Sequence, residues 1–426
     1  MRVAVIGSGI SGMVVASRLH REHDVTVFEA GSHVGGHTHT HDIEWAGRHY
    51  AIDTGFIVFN DWTYPRFMGL LDELEVGYQD SHMSFSLRDE RTGLEYNGTS
   101  INSLFAQRRN IFRPSFLRMI ADILRFNREC KALLAGNDNR LTLGEYLQAG
   151  NYSRAFCEQY IVPMGMAIWS ATESAMLSFP ARFFVEFFDR HGFLNVDHRP
   201  VWQAVKGGSR EYARRLTAPF AHRIRLDTPV LGVKRDRQGV ALRTPGGAER
   251  FDFVFFACHS DQALRILEDA SDAERAILGA FPYQENETIL HTDDSILPRR
   301  RLARAAWNYH LLARRDDDMR DRVALTYDMN VLQSLDAPVR FLVTLNRGGD
   351  IDPAKVLRRM TYHHPVYLPA GVEAQQRRTE ISGVNHTAYC GAYWRYGFHE
   401  DGVVSAERAL DDFIRANTPA TLARIA

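Results

Sequence analysis

The pattern of hydrophobic and polar positions at the start of the chain predicts a strand, a helix and a second strand. Residues Arg2 to Ile6 form a short apolar run that ends at a glycine, as the central strands of parallel sheets do. A helical pattern follows through about His20, and Asp24 to Phe28 are typical of another strand. This order predicts an α/β fold with a parallel sheet.

The turn between the first strand and the helix has the pattern GxGxxG. Gly7 permits a tight turn, Gly9 lets backbone approach a pyrophosphate, and Gly12 lets the helix pack closely on the strand. Ile10 and Ser11 begin a helix whose positive N-terminal end would face the phosphates. The turn therefore predicts a phosphate site.

An acidic residue completes the predicted nucleotide-binding unit. Glu29 ends the second strand, about 20 residues beyond the glycines, where a carboxylate can accept from both ribose hydroxyls and would repel a 2′-phosphate. Strand, glycines, helix, strand and acid in this order favour dinucleotide binding over a chance match.

A second glycine-rich stretch continues from that strand. Ala30 leads to the doublet Gly35-Gly36, whose backbone amides can reach the pyrophosphate from the other side, and His37 and Thr38 follow. The stretch resembles the superfamily of flavin-containing amine oxidases, phytoene desaturases and protoporphyrinogen oxidases, in which an arginine usually follows the doublet. The resemblance implies non-covalently bound FAD, with His37 in the place of the arginine.

Further segments resemble the same superfamily. By that resemblance, backbone near Val230 would read adenine, and Gly391 with a helix start would approach the flavin pyrimidine and ribityl chain. We expect that helix from Gly402 to about Arg415, with Asp401 as its N-cap. The resemblance implies that these segments hold the isoalloxazine and ribityl chain through Gly55, Phe56, Ile57, Gly391, Glu400, Asp401, Gly402 and Val403.

The domain organisation follows from the resemblance. We expect a Rossmann-like FAD-binding domain of the GR2 type, made discontinuously from residues 1–60, 200–265 and 380–426. An α+β substrate domain would be interleaved as residues 61–199 and 266–379, with 100–190 mainly helical. The active site would then lie at the seam between the two domains.

A narrower resemblance covers nearly the whole chain. Segments such as Asp53 to Asn60, Leu290 to Asp293 and Leu297 to Arg300 resemble those of a bacterial group of proteins. This group is similar to the N-terminal half of plant cyclopropane fatty acid synthases. This implies an FAD-dependent desaturase or oxidase acting on a fatty-acyl or lipid substrate, with a methyltransferase as a partner. The alternatives are a flavin amine oxidase and a flavoprotein that assists a methyltransferase without turnover of its own.

The resemblance also suggests catalytic residues. Trp394, Tyr396 and Phe398 would lie near the substrate face of the flavin, although ordinary packing explains such aromatics equally well. His291 stands near the position of the lysine that amine oxidases hold beside flavin N5, and its unperturbed pKa suits a general base. A covalent thioether through Cys390 is disfavoured.

The sequence also bears on the electron acceptor and on metal binding. No second GxGxxG for NADPH is visible, so electrons would leave to oxygen or a diffusible acceptor. His37, His39 and His41 alternate as metal-binding strands can, but they follow the glycine doublet and should face pyrophosphate or solvent. We therefore expect no metal.

Composition excludes some classes of function. Charged residues make up 24% of the chain and the net charge is -1. The chain as a whole therefore has no excess of positive charge that would attract nucleic acid. The four cysteines form no CxxC pair, which fits a reducing cytoplasm. No apolar run is long enough to span a membrane.

Two hydrophobic segments allow two interpretations each. Residues 108–134 mix arginines with apolar side chains, which suits either an anionic membrane surface at the inner face or a domain helix with a solvated arginine face. Phe179, Phe183, Phe184, Phe187 and Phe188 either line an acyl tunnel or pack in a core.

Overall fold

The computed structural model describes residues 1–313 and 322–418. The last part of the expected FAD-binding segment, residues 419–426, and residues 314–321 of the expected substrate domain lie outside the described residues. No helix in the described ranges has the length and apolar content needed to cross a bilayer.

The strands of the described chain belong to five sheets. They are β1 (Arg2–Ile6), β2 (Asp24–Phe28), β3 (Thr40–Trp45), β4 (Arg48–Asp53), β5 (Phe59–Asn60), β6 (Tyr78–Asp80), β7 (Phe85–Asp89), β8 (Leu94–Asn97), β9 (Trp202–Val205), β10 (Ile224–Arg225), β11 (Gly232–Asp236), β12 (Gly239–Thr244), β13 (Gly247–Phe251), β14 (Phe253–Phe256), β15 (Tyr283–His291), β16 (Trp307–Leu311), β17 (Leu325–Asp328), β18 (Leu342–Leu345), β19 (Val356–Pro365) and β20 (Thr387–Tyr389).

The α-helices cover these sheets or form a helical region of their own between β8 and β9. They are α1 (Ile10–Leu19), α2 (Pro65–Glu73), α3 (Ile101–Leu104), α4 (Pro114–Glu129), α5 (Leu143–Ala149), α6 (Arg154–Phe156), α7 (Val162–Trp169), α8 (Glu173–Leu177), α9 (Ala181–Arg190), α10 (Arg210–Thr217), α11 (Ser260–Ile266), α12 (Asp272–Leu278), α13 (Met329–Leu332), α14 (Pro369–Gln376) and α15 (His399–Asn417).

A five-stranded parallel sheet in the order β10-β2-β1-β14-β20 confirms the expected Rossmann-like architecture. Alternate residues of β1 face opposite sides, as the strand period requires. Val3 and Val5 pack with α1, α10 and α15, whereas Ala4 and Ile6 pack with α11 and α12. Both faces of the sheet are therefore buried, which explains why its strands are almost wholly apolar.

Two details of this sheet differ from the sequence expectation. The resemblance also predicts that the segment from Phe251 to Ala257 forms the last strand of this sheet, but β20 lies beyond β14 at the edge. Helix α2 falls in the segment expected for the substrate domain, yet its Phe67, Leu70 and Leu71 pack in the core that α1 and α15 also share. Amphipathic helices do not reveal from sequence which of two cores they join, since either one would bury the same face.

A seven-stranded mixed sheet in the order β19-β15-β18-β17-β16-β7-β8 forms the second large unit. One face packs against the helices of the region from α4 to α9 in a core rich in aromatic side chains. Its longest strands are β15 and β19, which pair antiparallel over their whole length. Tyr283 at the start of β15 stacks on His259, which follows β14, so the two sheets meet there.

Candidate functional site

The glycines of the first turn have distinct geometric roles. Gly7 has a φ of +103°, and a Cβ there would lie 2.7 Å from the carbonyl oxygen of Ala257. A Cβ on Gly12 would overlap the carbonyl oxygen of Gly7, because α1 packs closely on β1. A Cβ on Gly9 would have no protein atom within 4 Å. The space beside Gly9 is thus open to a ligand, and this residue begins α1 without a side-chain cap.

The glycine doublet lies directly against this turn. Gly35 pairs with Gly9 in an isolated parallel bridge, and a Cβ on Gly36 would be 3.3 Å from the Cα of Gly9. Both residues of the doublet have positive φ values, +130° and +61°. The two glycine loops therefore meet at the carboxyl edge of the sheet, where nucleotides bind in doubly wound folds.

Hydrogen bonds to Glu29 hold the two glycine loops together. Its carboxylate accepts hydrogen bonds from the backbone N–H of Ser8 at 2.9 Å, the Ser8 hydroxyl at 2.6 Å and the backbone N–H of Gly31 at 2.8 Å. Ser8 Oγ in turn accepts from the backbone N–H of Gly35. Two carboxylate oxygens offer about four acceptor sites, so these three bonds leave room for a ribose hydroxyl.

The start of α15 packs on the start of α1. The Ser11 hydroxyl donates to the carbonyl oxygen of Gly402 at 2.9 Å, and a Cβ on Gly402 would lie 2.5 Å from Cγ2 of Ile10. Val403 is buried in the core that the two helices share. Two positive helix ends thus converge on the glycine loops, an arrangement suited to an anionic ligand.

Two acidic residues at the start of α15, Glu400 and Asp401, accept hydrogen bonds from the protein backbone. The helix begins at His399, three residues earlier than expected, so Asp401 lies in its first turn and is not the N-cap. The Asp401 carboxylate accepts from the backbone N–H groups of Tyr396 and Phe398, and the Glu400 carboxylate caps α2 through the N–H groups of Arg66 and Phe67. Both carboxylates therefore hold backbone in place, and direct binding of the cofactor by Glu400 and Asp401 stays a prediction.

A buried polar cluster lies beneath the loops. Thr38 Oγ1 bonds to the Tyr212 hydroxyl and lies 3.0 Å from Nε2 of His399, and Tyr212 and His399 are 2.9 Å apart. Phe56 stacks on the His399 ring with centroids 3.5 Å apart. Burial lowers the pKa of His399 well below its usual value, so the ring is neutral.

Asp53 joins the segment that carries Gly55 and Ile57 to the Gly208-Ser209 turn. Its carboxylate is fully buried and accepts from the backbone N–H and the hydroxyl of Ser209. Burial raises the pKa of Asp53 to about 6, although these hydrogen bonds oppose the shift. Gly55 needs the absence of a side chain because a Cβ would overlap the carbonyl oxygen of His37, and Ile57 is buried in the substrate-domain core.

Three expected cofactor contacts lie at the edges of the site. Ala30 is exposed just after β2, and Gly391 donates its N–H to the Ser405 hydroxyl of α15. The resemblance predicts a strand from Thr228 to Val233 here, but Val230 lies in irregular structure before β11, which begins at Gly232. Its backbone remains available to a base because it is not committed to a sheet.

His37 faces other imidazoles at the seam between the domains. Its ring centroid lies 5.4 Å from that of His364 and 6.1 Å from that of His259, and its Nε2 is buried without a hydrogen-bond partner. Burial, with a smaller contribution from the charge of His363, lowers the pKa of His37 to about 4. His39 instead stacks on His33, and no three His, Cys, Asp or Glu side chains of the described ranges are grouped as metal ligands.

Hydrogen bonds fix the tautomer of His364. The Asn346 amide oxygen accepts from the backbone N–H of Glu287, and its nitrogen donates to the Val323 carbonyl and to Oδ1 of Asn286. Nδ2 of Asn286 must then be a donor, and it lies 3.0 Å from Nδ1 of His364. Burial and then the nearby histidines lower the pKa of His364 well below its usual value, so the ring is neutral and its proton is on Nε2.

The three aromatic residues proposed for the substrate face separate in the fold. Trp394 packs with Phe281 on the far side of the parallel sheet, 5.6 Å between ring centroids, so its assignment to the substrate face is wrong. Tyr396 lies 4.7 Å from Phe183, and Phe398 lies 5.1 Å from Phe187. These two residues therefore face α9 across the seam.

We call this group of rings the seam cluster. Trp169 joins it through Nε1, which donates to the carbonyl oxygen of Tyr396, and Tyr367 stacks obliquely on Phe183 with a buried hydroxyl that has no partner. Phe179, Phe184 and Phe188 are fully buried behind these rings and serve as core. The cluster consists of Trp169, Phe183, Phe187, Tyr367, Tyr396 and Phe398.

His291 lies away from this site. It is at the opposite end of β15 from Tyr283, eight residues along a strand and thus roughly 26 Å from the point where the two sheets meet. The ring is fully buried, accepts a hydrogen bond from the backbone N–H of Asp293 and contacts Thr344 Oγ1 at 2.8 Å. His291 is therefore a structural histidine and not a general base at the flavin.

Comparisons with known proteins give the family. Residues 10–289 match the family described as flavin containing amine oxidoreductase, which is more than half of the chain. The chain belongs to this family. No curated protein matches it significantly.

Solved structures share the fold of this family member. A CLA-producing fatty acid isomerase from P. acnes superimposes with a TM-score of 0.70 at 16% identity, over 97% of this chain and 98% of that one. Cyclohexylamine oxidase from Brevibacterium oxydans IH-35A gives a TM-score of 0.69 at 17% identity, over 98% and 99%. Wild-type putrescine oxidase bound to putrescine gives 0.63 at 16% identity, over 97% and 99%.

The family member is an FAD-dependent oxidoreductase, and its residues fit the cofactor. The space beside Gly9 would admit the diphosphate between the two glycine loops, with the first turns of α1 and α15 at either side. The buried and unpartnered Nε2 of His37 and hydroxyl of Tyr367 are polar atoms that a ligand at the seam can satisfy.

Sequence reasoning missed four polar residues of the site. Tyr212, His399 and Asn286 lie far apart in sequence, and only the fold brings them to the seam. The dipeptide His363-His364 in β19 was a signal, because adjacent residues of a strand face opposite sides and one of the two histidines must then face the protein.

Gly9 and Gly12 should respond differently to the same substitution. In Gly9→Ala the new Cβ meets no protein atom, so the unfolding free energy of FAD-free protein should change by less than about 0.5 kcal/mol. FAD affinity should fall at least about tenfold, because backbone can no longer approach the diphosphate. Gly12→Ala should instead lower stability by about 1–3 kcal/mol. Calorimetry measures the stability of each variant, and FAD titration measures its affinity for the cofactor. A Gly9→Ala protein with undiminished FAD affinity contradicts the assignment of Gly9 to the diphosphate site.

Acid should destabilise the FAD-free protein through His37. The pKa of His37 is lowered from 6.5 to about 4, so the unfolded chain takes up this proton between those pH values and the folded protein does not. Stability present above pH 6.5 is therefore lost as the pH falls to about 4, by about 3 kcal/mol for this residue. Urea unfolding at about pH 7 and about pH 4.5 should show a smaller loss in His37→Gln than in the parent protein. His222→Gln, at an exposed position, is the control and should keep the full loss.

Proposed function

We propose that this oxidoreductase dehydrogenates the acyl chain of a fatty acid or lipid. When bound, FAD supplies a two-electron acceptor at N5 that takes a hydride from a substrate C–H bond and passes the electrons to oxygen or a diffusible acceptor. The adjacent carbon loses its proton to solvent water, and the single bond between the two carbons becomes a double bond. The protein supplies a water-poor surface on which the chain is held.

The observation that carries the proposal is the seam cluster. Its rings bring Tyr396 and Phe398, which follow the last strand of the FAD sheet, against Phe183 and Phe187 of the helical region. Aromatic and apolar walls with few polar groups are typical of sites for hydrophobic ligands. The fatty acid isomerase that shares the fold adds support for an acyl substrate.

An amine is the second candidate substrate. Two of the proteins with the same fold, cyclohexylamine oxidase and putrescine oxidase, are amine oxidases. In the described chain no lysine lies on β15, where the resemblance to amine oxidases expects one near flavin N5. This favours the acyl substrate over the amine.

We assign a role at the seam to His364 in place of His291, as a hydrogen-bond donor and not as a general base. Its Nδ1 accepts from Asn286, so the neutral ring presents an Nε2–H donor near His37, whose ring centroid lies 5.4 Å away. Such a donor stabilises negative charge that develops on a ligand, without changing its own protonation. Asn286 is a positioning residue because it fixes the tautomer.

Anaerobic flavin reduction tests the substrate class. Purified yellow protein is mixed without oxygen with phospholipids that carry unsaturated, cyclopropane or methyl-branched acyl chains, and separately with cyclohexylamine and putrescine. We expect the visible band of oxidised flavin to bleach with at least one lipid and with neither amine. Bleaching by the amines alone would show that the amine oxidase alternative is right.

Replacement of His364 tests the assigned donor. His364→Gln should slow bleaching by about 100-fold or more, because one preorganised donor is lost, while bound FAD and thermal stability stay close to those of the parent protein. His363→Gln is the matched control, since this neighbouring side chain is half exposed and pairs with Glu285 instead. Asn286→Asp should add an ionisation to the pH profile of bleaching, because a carboxylate stabilises the protonated ring. Equal bleaching rates in the two histidine variants would rule out the role.

A further inference from the structure

Large hydrophobic side chains are exposed together around α3 and α4. Phe112 is 86% exposed and Ile101 is 80% exposed. Most of each side chain therefore lies outside the packed interior of the domain. We call this group the arginine-rimmed patch. Its apolar members are Ile101, Ile111, Phe112, Leu117, Leu124 and Leu302.

Hydrogen bonds bring the segments of the patch together. Arg108 donates to the carbonyl oxygens of Asn102 and Phe105, which joins the turn at 108–112 to α3. Glu95 of β8 accepts from the backbone N–H groups of Arg299 and Arg300 and donates its own N–H to Gln107. The segments at 101–112 and 299–302 are therefore neighbours on one side of the substrate domain.

Helix α4 continues the patch with one face. Phe116, Met119 and Phe126 are buried in the substrate-domain core, whereas Leu117 and Leu124 point outward. The inner apolar stripe of α4 is thus buried, whereas a second apolar stripe of this helix remains exposed to solvent. A helix that needed only to cover its domain would carry polar residues on that outer face.

The charges around the apolar side chains are almost all positive. Between residues 108 and 129 the chain has six arginines and two acids, and one of those acids, Asp122, is buried and paired with Arg118 and Arg125. The exposed arginines of the rim are Arg108, Arg109, Arg118, Arg128, Arg299, Arg300 and Arg301. Exposed apolar tips among arginines match the interface of an anionic bilayer, where the tips enter the acyl boundary and the guanidinium groups meet phosphates.

We propose that the arginine-rimmed patch docks the enzyme on anionic membranes. The proposal depends on the exposed side chains alone and not on the identity of the substrate. Protruding Phe112 and the stripe of Leu117 and Leu124 fit a fluid lipid surface, which adapts to isolated tips. A folded protein partner would instead require a continuous complementary surface.

Vesicle sedimentation tests the docking. FAD-loaded protein is mixed with vesicles of phosphatidylcholine alone and with vesicles containing phosphatidylglycerol, at low and high salt. We expect binding to the anionic vesicles that weakens as salt rises, and at least tenfold weaker binding to the neutral vesicles. Equal binding to both kinds of vesicle, or binding to neither, overturns the proposal.

Variants separate the apolar contribution from the charge. Phe112→Ser should weaken binding about tenfold or more, and Arg109→Glu should weaken it by about fivefold or more, the effect of one arginine near a charged surface. Ile414→Ser and Arg237→Glu are controls at exposed positions on α15 and on the β11–β12 turn. Equal effects of patch and control variants contradict docking through the patch.

Two further readouts distinguish other occupants of the patch. Sedimentation velocity of the parent protein should show the same oligomeric state as Phe112→Ser. Dissociation of an oligomer in this variant, with vesicle binding unchanged, would show that a second copy of the chain covers the patch and not a membrane. Flavin bleaching by a soluble substrate should be the same in parent and variant, so a failure of the docking proposal is separate from a failure of the proposed function.

Discussion

The close contact between the first turns of α1 and α15 is the constraint on which the site depends. Ser11 and Gly402 join helices that are almost four hundred residues apart in sequence, and the absence of a side chain on Gly402 lets them touch. Two positive helix ends then flank the glycine loops at one edge of the parallel sheet. Any residue larger than glycine at the contact would separate the ends and widen the phosphate site.

Carboxylates that are buried or partly buried hold this arrangement together. Glu29, Asp53, Glu400 and Asp401 each accept hydrogen bonds from backbone N–H groups of segments that the sheet alone would not position. Burial raises the pKa of Asp53 and of Asp401 to about 6, which is the cost of placing an anion inside the protein. These acids fix loops so that the glycines and helix ends face a ligand.

Neutral histidines line the seam between the domains. His37 follows the glycine doublet, and His364 of β19 accepts a hydrogen bond from Asn286 of β15. Their depressed pKa values keep the rings neutral, so this seam offers hydrogen bonds and π faces in place of fixed positive charge. A neutral, aromatic seam is compatible with an apolar substrate more readily than with an anionic one.

The sequence by itself determined the parallel sheet, the two glycine loops and the family, because these depend on local periods and on glycines whose spacing has a direct mechanical reason. It placed the start of α15 three residues late and assigned α2 to the wrong core, since local patterns do not say which distant surface an element meets. Only the tertiary structure decided that His291 is remote, that Trp394 packs behind the sheet and that His364 stands at the seam. The physical reason is that β15 spans the width of the substrate domain, so neighbouring residues along it belong to different environments, while strand pairing brings distant residues together.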